Sequence, residues 1–211
     1  MKERGMIFNA EMVRAILDGR KTQTRRIMTV QPESSEFGLR YIAESSLAKE
    51  VGMYFWSQSD ACGMKARSKP FACPYGKPGD RIWVRETWAR YNIDQNSHDI
   101  AYRATTPADW PEEGHWRPSI HMPRWASRIL LEITGVRVER LNAISQEDAQ
   151  AEGMELTGWR PTYSDPDSGG EVMTPYDNFA ELWSSIYGAE NWQANPWVWV
   201  IEFKRVEGGA A

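Results

Sequence analysis

The chain has 211 residues, enough to bury one hydrophobic core, and its 41% hydrophobic and 26% charged residues are typical of a globular protein. A formal net charge of −4 argues against bulk nonspecific binding to nucleic acid, although it leaves room for a local basic cleft. No apolar run is long enough to span a membrane, and residues 1–12 lack the apolar stretch of a signal peptide. We therefore expect a single cytoplasmic domain over residues 1–211, with no membrane partner.

The first regular elements are a strand and a helix. MIFN (6–9) is typical of a short strand, and Asn9 is suited to cap the helix that follows. Three apolar residues share one face of that helix: Val13, Ile16 and Leu17. Gly19 predicts the helix end, so a basic cluster follows directly after it. Residues 31–76 lack sustained periodicity, and we interpret them as a partly ordered insertion.

The middle of the chain alternates between strands and loops. KPGDRIWV (77–84) predicts a turn followed by a strand. RILLEITGVRVERL (128–141) contains two strand-like halves around Gly135, which predicts either a bulge or a tight turn. Residues 91–126 and 157–175 are loop-like and are interpreted as further insertions.

The C-terminal third carries two helices and a closing strand. Residues 144–154 predict a short helix capped by Ser145, with Asp148 at the position that completes a capping box. Residues 176–188 predict an amphipathic helix, and residues 195–206 predict a strand. Because strands and helices interleave irregularly, we expect an α+β fold built on a small mixed β-barrel with short flanking helices.

Tryptophan and proline are unusually frequent, with eleven and twelve residues. Many of the tryptophans lie in Pro-flanked stretches such as residues 108–125. Packing of long loops onto the core is the favoured interpretation. A protein interface made by these Trp-rich insertions is the alternative.

Cysteine and histidine offer little for a metal site. The only cysteines are Cys62 and Cys73, and His98, His115 and His121 are scattered through a loop region. A zinc site from Cys62, Cys73 and His121 is an alternative, but structural free thiols are favoured. We expect neither a metal nor a cofactor.

The stretch GRKTQTRR (19–26) concentrates four cations in an acidic chain. One interpretation is a solvated basic edge after a helix C-terminus, where cations interact well with the helix dipole. The other is a reactive loop, in which neighbouring cations and burial lower the pKa of Lys21 so that it can activate the Thr24 hydroxyl. That chemistry also needs a carboxylate from elsewhere in the chain. The sequence contains no dinucleotide-binding, phosphate-loop, zinc-protease or serine-hydrolase motif.

This stretch resembles the signature loop of ASCH domains, which are PUA-like small β-barrels associated with RNA. The shared pattern is Gly-x-Lys-x-x-x-x-Arg, met here as Gly19, Lys21 and Arg26. The commonest form of the pattern has Glu where this chain has Thr24. A bacterial branch with Thr at that place consists of N4-acetylcytidine amidohydrolases, which convert the modified nucleoside to cytidine and acetate. The whole chain is also similar to ASCH proteins of tailed phages and prophages.

The resemblance implies a catalytic set of three residues. Lys21 and Thr24 match the loop, and ISQEDAQAEGM (144–154) matches the segment that carries the family's catalytic Glu, here Glu152. The resemblance covers about half of the chain: residues 5–30, 77–90, 127–155 and 176–206. The insertions that it leaves uncovered are residues 31–76, 91–126 and 157–175.

In the implied mechanism, Thr24 attacks the acyl carbon with Lys21 as general base, while Glu152 orients Lys21 or protonates the leaving amine. Alternatively, Thr24 positions a water that Glu152 activates. We expect the substrate to be bound by four further side chains, with the indole available to stack on the base: Arg20, Arg25, Arg26 and Trp88.

Two other functions stay open. A noncatalytic RNA-binding module would use the cations of residues 20–26 to grip phosphates. A phage accessory or assembly protein would use the Trp-rich insertions to bind a protein partner. The sequence therefore predicts a modified nucleoside or RNA as the main partner.

Overall fold

The computed structural model describes residues 1–59, 65–90, 99–155, 157–160 and 171–206. The strands in these ranges are β1 (Glu3–Ile7), β2 (Gln23–Ile27), β3 (Gly38–Tyr41), β4 (Tyr54–Ser59), β5 (Lys65–Arg67), β6 (Arg81–Arg85), β7 (Trp88–Arg90), β8 (Ile100–Tyr102), β9 (Leu130–Arg140), β10 (Thr157–Arg160), β11 (Glu171–Met173) and β12 (Trp197–Arg205). The α-helices are α1 (Ala10–Leu17), α2 (Gln146–Ala151), α3 (Pro175–Tyr187) and α4 (Ala189–Gln193).

A five-stranded mixed sheet forms the centre of the protein, in the order β1-β6-β9-β12-β2. The β1–β6 pair is parallel, and the other three pairs are antiparallel. The prediction of an α+β fold is confirmed. Among the described residues, however, no sheet closes into a barrel, and β1 and β2 form the edges of the central sheet.

The central sheet is covered on both faces, and its strand β12 is accordingly apolar on both sides. Trp199, Ile201 and Phe203 join one hydrophobic cluster, together with Val13 and Ile16 of α1. Val198 and Val200 join a second cluster on the opposite face, which α2 and α3 cover. A strand that alternates between two buried faces has no polar side, which explains its nearly continuous apolar sequence.

Strand β9 continues through Gly135 with a bulge rather than a turn. Glu202 of β12 pairs with Gly135, while the next residue, Phe203, pairs with Ile133, so one residue of β9 is extra. A Cβ on Gly135 would lie 2.5 Å from the Glu202 carboxylate. Glycine at this place leaves room for the Glu202 carboxylate beside the bulge, and a larger residue would displace that side chain.

The helix ends follow the local sequence signals. The Asn9 side chain accepts a hydrogen bond from the Met12 N–H at 2.8 Å, and Gly19 has a positive φ of 76° after α1. Ser145 accepts from the Asp148 N–H at 3.1 Å, as predicted, but only this half of the capping box forms. The first strand differs from its prediction: it spans Glu3–Ile7, ahead of the expected 6–9.

The predicted insertions contribute strands of their own. Residues 31–76 contain the antiparallel sheet β3-β4-β5, and its Trp56 packs against Trp197 of the central sheet. Strand β8 pairs with β7, and β10 pairs with β11. Cys62 and His98 lie outside the described residues, whereas Cys73 is a half-buried free thiol.

Candidate functional site

The backbone joins the segment after α1 to the end of α2. The Thr22 N–H donates to the Ala151 carbonyl at 2.8 Å, and Lys21 forms an isolated antiparallel bridge with Glu152. Gly153 follows with a φ of 96°, and a Cβ there would lie 3.3 Å from the Lys21 Cβ. A glycine after Glu152 therefore lets the two segments approach closely.

Lys21 and Glu152 form a buried ion pair. Lys21 Nζ donates to Glu152 Oε2 at 2.5 Å and to the Glu152 backbone carbonyl at 2.9 Å. The two residues are only 2% and 3% exposed. The interpretation of residues 19–26 as a solvated basic edge is therefore wrong for Lys21.

The environment of Lys21 lowers its affinity for a proton. Burial lowers the pKa of Lys21 below the ordinary 10.5, and the charges of Arg26 and Arg25 lower it further. Glu152 opposes this effect through its charge and its hydrogen bond. Because burial is the largest influence, a proton on Lys21 is held less firmly than on a lysine in water, as a general base requires.

Arg25 lies behind this pair and binds three carboxylates. Its side chain is fully buried, and Nη1 donates to Glu152 Oε1 at 3.2 Å. Nη2 donates to Asp148 Oδ2 at 2.8 Å and to Glu139 Oε2 at 3.1 Å. Arg25 thus binds the Glu152 oxygen that Lys21 does not bind, and its buried guanidinium is shared among these three carboxylates.

A second arginine extends this network. Arg137 donates to Asp148 Oδ2 at 2.8 Å, to Glu139 Oε1 at 2.5 Å and to Glu202. Although partial burial opposes ionisation, the pKa of Asp148 is lowered by a hydrogen bond from Gln23 and by the charges of the two arginines. The sequence analysis missed Arg137 and Glu139. The sequence feature that indicates them is the run of charged residues in β9, the strand that pairs with the apolar β12.

Thr24 lies in β2 but does not bind the Lys21–Glu152 pair directly. Successive residues of a strand point to opposite faces, so Thr24 and Arg26 share one face while Arg25 points to the other. The Thr24 hydroxyl is fully buried and accepts a hydrogen bond from Arg26 Nη1 at 3.1 Å. The Lys21 ammonium donates to Glu152 rather than to Thr24.

A cleft between α1 and α3 leads to these residues. Its volume is about 820 Å³, and Glu152 lies on its wall. A much smaller cavity of about 30 Å³ is adjacent, because both are lined by Met12, Glu152 and Leu182. Thr24, Arg25 and Arg26 line the small cavity, so the predicted substrate-binding residue Arg25 reaches it despite its pairing with carboxylates. The large cleft has room for a drug-sized molecule, whereas the small cavity holds only a few heavy atoms.

The cleft has an acidic lining. It carries five carboxylates and two guanidinium groups: Glu11, Asp18, Glu152, Glu155, Glu181, Arg14 and Arg20. Arg20 is paired with Asp18 and Glu155, at 3.1 Å in each case. The cleft therefore disfavours a polyanionic ligand.

Trp88 lies apart from this cleft. It is 2% exposed and packs with Met122 and Ala126 in a separate small cluster. The Trp125 ring meets it edge-on, with the ring centroids 5.7 Å apart. Trp88 lines neither the cleft nor the small cavity, so the structure does not bring it together with Glu152 and Thr24, which do.

Comparison with known proteins gave no match: no protein family, curated protein or solved structure is significantly similar to this chain. In the described part of the chain, no helix is long and apolar enough to cross a bilayer. The same residues contain no group of three or more His, Cys, Asp and Glu side chains that could hold a metal ion.

Proposed function

We propose that this protein is an amidohydrolase that removes the acyl group from an N4-acylated cytidine-type nucleoside, converting N4-acetylcytidine to cytidine and acetate. The observation that carries the proposal is the buried ion pair between Lys21 and Glu152, of which Glu152 lines the wall of a nucleoside-sized cleft. The proposal assigns the chain to the ASCH, PUA-like class, with the central sheet as part of its barrel and residues 1–211 as one domain.

The shape of the site suggests how the substrate lies. The nucleoside would occupy the cleft between α1 and α3, and the acyl group would enter the small cavity lined by Thr24, Arg26 and Glu152. A cavity of about 30 Å³ suits a small acyl group such as acetyl and excludes a bulky one. The geometry thus supports selection by acyl size.

The chemistry follows from the residues around the small cavity. The Thr24 hydroxyl oxygen forms a bond to the acyl carbon while its proton passes to the neutral amine of Lys21. Arg26, which already donates to Thr24 Oγ1, stabilises the developing oxyanion, an effect often worth about 3 kcal/mol. The bond from carbon to N4 then breaks, and the proton held by Lys21 passes to the amine, either directly or through the Glu152 carboxylate that Lys21 contacts. Water finally hydrolyses the ester and releases acetate.

A second version of the reaction assigns Thr24 to positioning a water that Glu152 activates. The two versions differ in one intermediate, because only the first forms an acyl ester on Thr24. Quenched-flow experiments distinguish them: a burst of cytidine with acylated protein supports the first version, and cytidine release without acylated protein supports the second.

The contacts of the basic cluster weigh against a noncatalytic RNA-binding module. The side chains of Lys21 and Arg25 are buried and paired with carboxylates. Arg20 pairs with Asp18 and Glu155. Guanidinium and ammonium groups engaged in this way are poorly placed to grip phosphates. The acidic cleft likewise favours an uncharged nucleoside over a nucleotide or polymer.

The experiment that tests the proposal follows the ultraviolet absorbance of N4-acetylcytidine mixed with the protein. We expect a decrease of the acetylated nucleoside with wild type, and loss of turnover in Lys21→Ala and Glu152→Ala. Circular dichroism establishes that each variant is folded. Absence of turnover by folded wild-type protein contradicts the proposal.

A further inference from the structure

A second, larger cavity lies between the β3-β4-β5 sheet and the start of the chain. Its volume is about 950 Å³, within the range of small-molecule sites. Part of its lining is Tyr41, Lys49 and Tyr54, and the loop before β6 adds Lys77 and Asp80. We call it the insertion cavity. It shares no lining residue with the cleft between α1 and α3.

The insertion cavity is cationic in an acidic protein. Among the residues that the structure describes, four cationic side chains and a single carboxylate line it: Lys2, Arg4, Lys49, Lys77 and Asp80. Asp80 is already engaged, since it accepts from the Lys2 N–H at 2.8 Å and from Arg4 Nη1 at 3.3 Å.

The lysines of the insertion cavity are free of such partners. Within the described ranges, no carboxylate lies within 4.0 Å of the ammonium groups of Lys2, Lys49 or Lys77. An anion would therefore find three uncompensated ammonium groups facing one cavity.

An aromatic surface accompanies these charges. Tyr41 is 59% exposed, and its ring lies 5.2 Å from that of Tyr54, measured between centroids. Tyr54 in turn packs on Trp199 of the central sheet, with centroids 5.3 Å apart. The Tyr41 ring is thus supported from behind and open towards solvent, as an aromatic side chain that stacks on a planar ligand must be.

We propose that the insertion cavity binds a small aromatic phosphate, of which a nucleoside monophosphate is the simplest example. The phosphate lies among Lys2, Lys49 and Lys77, and the planar ring stacks on Tyr41. The site is separate from the hydrolytic site, and it does not depend on the proposed amidohydrolase activity.

The experiment is isothermal titration calorimetry of the full chain with CMP, AMP, cytidine and inorganic phosphate. We expect CMP and AMP to bind and cytidine and phosphate alone to bind at least tenfold more weakly, because each has only half of the recognised chemistry. Affinity for CMP should fall with ionic strength, since exposed charges are screened. Phosphate binding as tightly as CMP overturns the proposal, and so does absence of CMP binding.

Variants locate the site. Lys49→Gln/Lys77→Gln should weaken CMP binding by roughly tenfold per lysine, and Tyr41→Ala by about tenfold. Lys69→Gln is the matched control, because Lys69 is an exposed lysine outside this cavity, and it should bind normally. Lys21→Met should also bind CMP normally, which separates this result from any failure of hydrolysis. Equal affinity of wild type and the double lysine variant refutes the proposed location.

Discussion

The buried ion pair predicts an asymmetry between two nearly isosteric substitutions, Lys21→Met and Glu152→Gln. Lys21 has one carboxylate partner within the described residues, namely Glu152 at 2.5 Å. Glu152 has two cationic partners, because Arg25 Nη1 also lies 3.2 Å from its other oxygen. The two substitutions therefore leave different charges behind.

The expected magnitudes follow from what remains. Glu152→Gln leaves the buried ammonium of Lys21 without a counter-charge, which costs about 3–5 kcal/mol of the free energy of unfolding. Lys21→Met removes two hydrogen bonds, to Glu152 Oε2 and to the Glu152 carbonyl, but it leaves Glu152 paired with Arg25 and no buried charge unpaired, so the cost is about 1–3 kcal/mol.

The pH dependence provides an internal check on Glu152→Gln. Without Glu152, nothing opposes the burial that lowers the pKa of Lys21, so that pKa falls further below 10.5. Between the lowered value and 10.5, the unfolded chain binds more protons than the native protein, and stability rises with pH. The deficit of Glu152→Gln relative to wild type should shrink as the pH rises.

The assay is urea unfolding followed by tryptophan fluorescence, with circular dichroism as the second probe of two-state behaviour. Lys69→Gln is the control for removing an exposed lysine and should unfold as wild type does. If Lys21→Met loses as much stability as Glu152→Gln, or if neither loses more than the control, the reasoning about the buried pair is refuted.

Three further predictions concern catalysis. Thr24→Ala should lower kcat by at least about a hundredfold, whereas Thr24→Ser should keep most of it, since only the hydroxyl is needed. Equal kcat values for Thr24→Ala and wild type in a steady-state assay would contradict this role of the hydroxyl. The value of kcat/KM should rise with pH through the lowered pKa of Lys21 and level off below pH 10.5, because the neutral amine is the base. A kcat/KM that falls over this pH range would contradict the assignment of Lys21 as the base. N4-benzoylcytidine should be hydrolysed far more slowly than N4-acetylcytidine, because the small cavity measures about 30 Å³. Equal values of kcat/KM for the two substrates would contradict the assignment of that cavity to the acyl group.

Local sequence signals account for much of the fold. Three signals depend only on neighbouring residues, and each is found in the structure: the Asn9 cap, the glycine after α1 and the nearly continuous apolar sequence of β12. The sequence does not predict the sheet within residues 31–76, because short strands such as β3 and β5 carry little periodicity and the contact with the central sheet is made by side chains of β4 such as Trp56.

The candidate site was only partly predictable, because its residues are distant in sequence. Lys21 and Glu152 are 131 residues apart, and only the ASCH resemblance connected them. The role of Arg25 could not be predicted, since it depends on the pairing of β2 with β12 and of β12 with β9, which sets the face of each side chain. The basic cluster predicts a substrate contact for Arg25, and the structure adds its ion pairs with Glu152, Glu139 and Asp148.

The most direct test of the account is mass spectrometry of N4-acetylcytidine after incubation with wild type and with Lys21→Met. The account predicts equal amounts of cytidine and acetate from wild type and an unchanged nucleoside from folded Lys21→Met. Cytidine formation at the same rate by both proteins, or by neither, would contradict the claim that the buried amine of Lys21 drives the reaction.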